Sequence, residues 1–176
     1  ELGYQVETSV TPLVDWSEEG GPDYRDAPFM PYNPNYLDVT KPGNSKLLEV
    51  PVTIMLTRQV PTWVRWLYLR IPRVTRIRGL LSRDRLDVLD IVWAYAAEFT
   101  EEDMIRAGLM AEHMGMPVVN FFMHSNEIWP GQSPYCQSEK DLEDYLARLR
   151  RALEELVVGR GMVPHTLKEF YEAHEA

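Results

Sequence analysis

Apolar and polar positions along the chain follow two rhythms. Residues 3–10 alternate apolar and polar side chains and predict a strand. Residues 47–55 predict a second strand, with Pro51 marking an edge or a bulge because it has no N–H to donate. Residues 86–95 fit strand or helix, and the reading taken is a strand over their second half, ending near Trp93 to Tyr95. Residues 117–123 are a β-branched and aromatic run entered from a Gly-Met-Pro turn, and they predict a buried strand. The helical rhythm appears four times. Residues 61–70 open on a proline and are stopped by Pro72. Residues 100–113 open on a Thr-Glu-Glu-Asp capping box and stop at Gly115. A long amphipathic helix opens at Ser138, carries an apolar stripe through Leu142, Tyr145, Leu146, Leu149, Leu153 and Leu156, and ends at Gly159. A short one opens at Thr166.

Between the first two strands, residues 11–46 carry no periodic element. Their aromatics Trp16, Tyr24, Phe29, Tyr32 and Tyr36 suit an ordered cover better than a free linker. Strands and helices that alternate over short connections predict an α/β domain, with parallel strands and helices on the outside. The 176 residues suffice for one domain. The chain opens on Glu1, and Glu1-Leu2-Gly3 reads as the tail of a helix, so it is expected to start inside a longer polypeptide.

Charge changes the picture in one place. The formal net charge is −9, which argues against a nucleic-acid binder. Yet residues 58–85 hold eight arginines and one acid, Asp84. Together with Trp63, Trp66, Tyr68 and Leu69, this Arg-rich insertion suits either an anionic surface or ion pairing with the acidic remainder. No apolar run reaches the roughly 20 residues that span a bilayer, and the chain reads as soluble. The single cysteine, Cys136, rules out an internal disulfide and a cysteine zinc cluster.

The candidate chemistry gathers after the run 117–123. His124 ends that run, and imidazole is the side chain that trades protons near neutral pH. The plainer alternative is a histidine that closes a strand by bonding a loop. His113 suits a helix C-terminus, and His165 and His174 suit solvent. There is no HxxxH or HExxH spacing, no GxSxG and no glycine-rich phosphate loop, so a complete metal site within these residues is not expected.

Four stretches carry a resemblance. They are Gly3-Tyr4-Gln5-Val6-Glu7-Thr8-Ser9, Leu47-Leu48-Glu49-Val50-Pro51-Val52, Asn120-Phe121-Phe122-Met123-His124-Ser125-Asn126-Glu127 with Pro130-Gly131 and Ser133-Pro134-Tyr135 beyond, and Thr166-Leu167-Lys168-Glu169-Phe170. In this order they resemble the C-terminal half of a polysaccharide deacetylase (NodB-homology) domain. The resemblance implies part of a deformed (β/α) barrel whose N-terminal strands are missing. It implies hydrolysis of the N-acetyl group of an amino sugar, with a divalent metal, often zinc, whose ligands come from motifs absent from this chain. By the same resemblance, His124 is the general acid. Ser125, Glu127 and Trp129 line a carbohydrate cleft, and Glu7, where the family more often has Asp, orients the site. The competing expectation is a non-catalytic module on the same scaffold that binds a glycan or an anionic surface.

Overall fold

The computed structural model describes residues 3–71, 80–81, 86 and 88–174. In chain order the described elements are β1 (Val6–Glu7), β2 (Pro34–Asn35), β3 (Asp38–Pro42), β4 (Leu48–Glu49), β5 (Ile54–Leu56), α1 (Thr62–Arg70), β6 (Ile91–Trp93), α2 (Glu101–His113), α3 (Glu139–Glu154) and α4 (Leu167–His174). The architecture is mixed α/β.

The helices follow their local signals. Thr100 and Asp103 form a reciprocal capping box on α2, and Ser138 and Asp141 do the same on α3. Pro61 is the N-cap of α1, one position before the first helical turn. At its end α3 widens into a π turn, Glu155–Gly159, which seats Leu156 against α2. The seat needs Gly108: a Cβ there would lie 2.8 Å from a methyl of Leu156.

The strands are shorter than expected and only one pair is parallel. β1 and β4 pair in parallel, with Glu7 opposite Glu49. The alignment runs on through single bonds, Val50 N–H to Glu7 O at 2.8 Å and Val52 N–H to Val10 O at 3.0 Å. Pro51 interrupts it, because that position has no N–H to give. β5 then pairs with β6, and this pair is antiparallel, which corrects the expectation of uniformly parallel strands. The described strands form three two-stranded sheets and no closed barrel. Residues 11–46 are not without regular structure, since β2 and β3 make an antiparallel hairpin. Its turn is held by Asn35 Oδ1, which accepts from Leu37 N–H at 2.8 Å.

Residues 117–123 are extended but form no ladder strand. Thr53 N–H donates to Asn120 O at 3.2 Å, and Phe122 N–H donates to Ala94 O at 3.4 Å. Side chains supply the other bonds. Asn120 N–H donates to Thr53 Oγ1 at 2.8 Å, and Asn120 Nδ2 donates to Val50 O at 2.9 Å. Asn120 is buried, so a side-chain amide replaces backbone pairing between this segment and the turn at Pro51.

One core cluster packs Tyr68 and Leu69 of α1 on Ile54, Leu56 and Ile91 of the β5–β6 pair. A second gathers Met104 of α2 with Tyr145 and Ala152 of α3 and Ala96. Phe122 and Trp93 border the first cluster and Phe121 borders the second, so the extended segment runs between them. The helix tail expected at Glu1 and Leu2 lies outside the described residues, as do residues 72–79 and 82–85 of the Arg-rich insertion. No described helix is long and apolar enough to cross a membrane.

Candidate functional site

His124 follows the extended segment directly and is the N-cap of a 3-10 turn, Ser125–Ile128. The turn carries Glu127 back beneath the imidazole. His124 Nδ1 lies 2.6 Å from Glu127 Oε1, and Glu127 N–H donates to His124 O at 3.0 Å. The two side chains sit in opposite environments, with the imidazole 64% exposed and the carboxylate 2% exposed.

Burying a carboxylate is costly unless donors surround it. Two tyrosines supply them. Tyr95, just past β6, donates its hydroxyl to Glu127 Oε1, and Tyr145 of α3 donates to Glu127 Oε2 at 3.4 Å. Both phenols resist ionisation. Burial, then the bond to Glu127, raises the pKa of Tyr95; burial, then the charge of Glu127, pushes that of Tyr145 up to about 12. They therefore remain O–H donors over the physiological range. Phe122 stacks on Tyr95 at 4.3 Å, and both meet the His124 ring edge-on at 5.8 and 6.1 Å. The imidazole is thus held by one short bond at Nδ1 and two aromatic walls.

The ring borders a cleft of about 800 Å³. Trp16, Trp93, Tyr95, Phe122 and Tyr135 give it aromatic walls, and Thr8, Ser9, Thr11, Glu98 and Ser133 give it polar ones. Tyr135 bonds Glu98 across the rim. The Ser133 hydroxyl is buried and has no hydrogen-bond partner. Rigid aromatic faces mixed with hydroxyls and the carboxylates of Glu98 and Glu127 suit a polar, ring-shaped ligand. A second groove, about 650 Å³, runs past residues 117–121, Leu156 and Phe170, away from the buried carboxylate.

The expected site residues divide between places. His124 and Glu127 come together at the cleft, with Glu127 at its floor as the support of the imidazole. Ser125, the first residue of the turn, and Trp129, just past its end, are exposed and do not form the cleft wall. Glu7 belongs to another corner. Its Oε1 accepts from Thr8 N–H at 3.0 Å, and its charge acts on Glu49. Glu49 is 2% exposed, accepts from Val10 N–H at 3.0 Å, and has its carboxyl pKa pushed up to about 7, first by burial.

The sequence reading missed Tyr95, Tyr145 and Glu98, and it gave no role to Ser133 and Tyr135, which it met only within the stretch that carries the resemblance. Tyr145 stands in the apolar stripe of α3, where its hydroxyl gives no sign of a distant partner. The pairing of His124 with Glu127 was missed too, and their spacing of three before Trp-Pro-Gly is the local signal that could have found it.

Among the described residues, no group of three or more His, Cys, Asp or Glu side chains is placed to hold a metal ion. No family model, curated protein or solved structure matches the chain.

Proposed function

We propose that this chain forms the proton-donating and sugar-binding side of a carbohydrate N-deacetylase built on a deformed (β/α) barrel. The observation that carries the reading is an exposed imidazole clamped to a buried, tyrosine-held carboxylate at the edge of an aromatic cleft. The four sequence stretches that resemble polysaccharide deacetylases support it, and His124 stands at the matching histidine.

In amide hydrolysis water adds to the carbonyl, the C–N bond breaks, and the nitrogen must leave protonated. His124 donates that proton from Nε2. The Glu127 carboxylate stabilises the imidazolium and fixes its tautomer through Nδ1–H, as a buried carboxylate does for a catalytic histidine elsewhere. The aromatic walls hold the sugar ring by its apolar face. The resemblance implies a divalent metal, zinc in many cases, that polarises the amide and activates water. Among the described residues no group of three or more His, Cys, Asp or Glu side chains is placed to hold it.

The test is acetate release from N-acetylglucosamine oligomers, with zinc supplied, by wild type and His124→Ala. A loss of about 10²-fold or more with unchanged circular dichroism is expected. Undiminished turnover in the variant overturns the assignment of His124. Sugar binding without turnover in the wild type points instead to a non-catalytic glycan-binding module.

A further inference from the structure

The cleft beside His124 is negative in charge and aromatic in surface. Among the described residues, its lining includes Glu98 and Glu127 but no lysine or arginine. Arg148, whose Nη2 donates to Ala96 O at 3.0 Å, lies outside that lining. Glu127 finds donors in Tyr95 and Tyr145 and a counter-charge in a protonated His124. Glu98 is less well matched. Its exposed carboxylate accepts from the Tyr135 hydroxyl through Oε1, and among the described residues it makes no ion pair and leaves Oε2 without a hydrogen bond. The cleft therefore stays net negative whether His124 is neutral or protonated.

Both carboxylates act on one space. The charges of Glu98 and Glu127 each reach the hydroxyls of Tyr95 and Tyr135. The Tyr95 ring stands edge-on to His124 at 6.1 Å and to Tyr135 at 6.3 Å, so one ligand can meet both. Aromatic faces carry partial negative charge and attract cations, more strongly away from bulk water. Ser133 adds an observation independent of charge. It is 5% exposed and borders the same cleft, and its hydroxyl has no hydrogen-bond partner. Such a group is costly until a bond from outside the chain satisfies it.

We infer that the cleft selects a cationic amino sugar, a glycan in which an ammonium group meets Glu98 beside the Tyr135 ring while a neighbouring sugar lies at His124. The ammonium donates to the open oxygen of Glu98, and the Tyr135 hydroxyl holds that carboxylate in place. Ser133 takes a further bond from the same ligand. An anionic sugar would meet two carboxylates and no basic side chain, so the cleft rejects it. The inference rests on the reading of this cleft as a sugar site and adds the charge of the sugar. The preferred chain is one that already carries free amino groups, and a fully acetylated chain is second to it.

Titration calorimetry tests it with trimers of glucosamine, N-acetylglucosamine and galacturonic acid, at low salt and at a pH where the amines are protonated. The glucosamine trimer is expected to bind about fivefold or more tighter than the acetylated one, and the galacturonic acid trimer weakest. High salt should narrow the differences. Glu98→Gln is expected to bring the ratio of the first two affinities close to one, whereas Glu98→Asp, which keeps the charge, retains part of it. Circular dichroism checks that these exposed substitutions leave the fold unchanged. Equal affinities for the two amino-sugar trimers in the wild type, or an undiminished preference in Glu98→Gln, would overturn the inference. Acetate release alongside equal affinities would sink the inference and leave the deacetylase reading standing, while no binding of any trimer would remove both. Spermidine bound as tightly as the glucosamine trimer would assign the cleft to a linear ammonium compound and overturn the sugar.

Discussion

His124 Nδ1 and Glu127 Oε1 lie 2.6 Å apart although one ring is open to solvent and the other side chain is sealed from it. The pair therefore connects a reactive surface group to an internal anion that solvent cannot screen. Glu127→Gln keeps the shape and removes the charge. It is expected to lower acetate release by about 10- to 100-fold through kcat while leaving KM close to wild type. A variant whose KM rises with kcat intact would make Glu127 a substrate contact instead.

The two tyrosines are not equivalent supports. Tyr95 bonds the oxygen that also meets His124, whereas Tyr145 reaches the other oxygen at 3.4 Å. Tyr95→Phe leaves a buried carboxylate short of a donor and is expected to cost about 1–3 kcal/mol. Tyr145→Phe should cost less, because its bond is long. Urea midpoints of the two variants check the order, and a larger loss for Tyr145→Phe would reverse the assignment.

Ser133 has a buried hydroxyl with no partner at the wall of the cleft. Ser133→Ala removes an unmet polar group, so stability should hold or rise slightly. If a sugar hydroxyl completes that bond, affinity for an amino-sugar oligomer should fall about five- to tenfold. Calorimetric titration together with thermal unfolding separates the two effects. Unchanged affinity would exclude Ser133 from sugar binding.

Glu49 predicts a pH dependence of stability independent of catalysis. Its carboxyl pKa is raised from 4.5 to about 7, chiefly by burial, so between these values the folded state holds more protons than the unfolded one. Stability contributed by the protonated form is complete below about pH 4.5 and is lost as pH rises through about 7. The wild type should lose on the order of 2 kcal/mol across that window from this group. Glu49→Gln cannot ionise, and its amide oxygen can still accept from Val10 N–H. Its urea-derived stability should be flatter over the same range, and parallel profiles for the two proteins would remove Glu49 as the cause.

Local signals in the sequence placed the helices well. The capping boxes at Thr100 and Ser138 are contained in four residues each, so nothing distant can override them. Strand pairing is set by partners far along the chain. The run 117–123 reads as a strand from its own residues, but its bonds come from Thr53, Val50 and Ala94, some of them through side chains. The antiparallel match of Ile54–Leu56 with Ile91–Trp93 leaves no trace in either segment's pattern, since both are simply apolar. At the site, His124 was legible from its place at the end of an apolar run, and Glu127 only through the family resemblance, as a cleft residue rather than as the partner of the imidazole. Tyr95 and Tyr145 were not, because an aromatic in an apolar stripe looks the same whether or not its hydroxyl meets an anion. The hairpin at Pro34–Pro42 did leave a signal in Asn35, whose side chain builds the turn.

Asn120 has a wider influence than its own bonds suggest. Successive side chains of an extended segment alternate sides, and here Phe122 and His124 share the side that borders the cleft. With few backbone bonds to index the segment, the amide of Asn120 on Val50 works as a registration pin. A slip of one residue would send both rings to the opposite side and bring Phe121 and Met123 to the cleft in their place. The position of the imidazole is thus decided four residues upstream, by a group that does not line the cleft beside it.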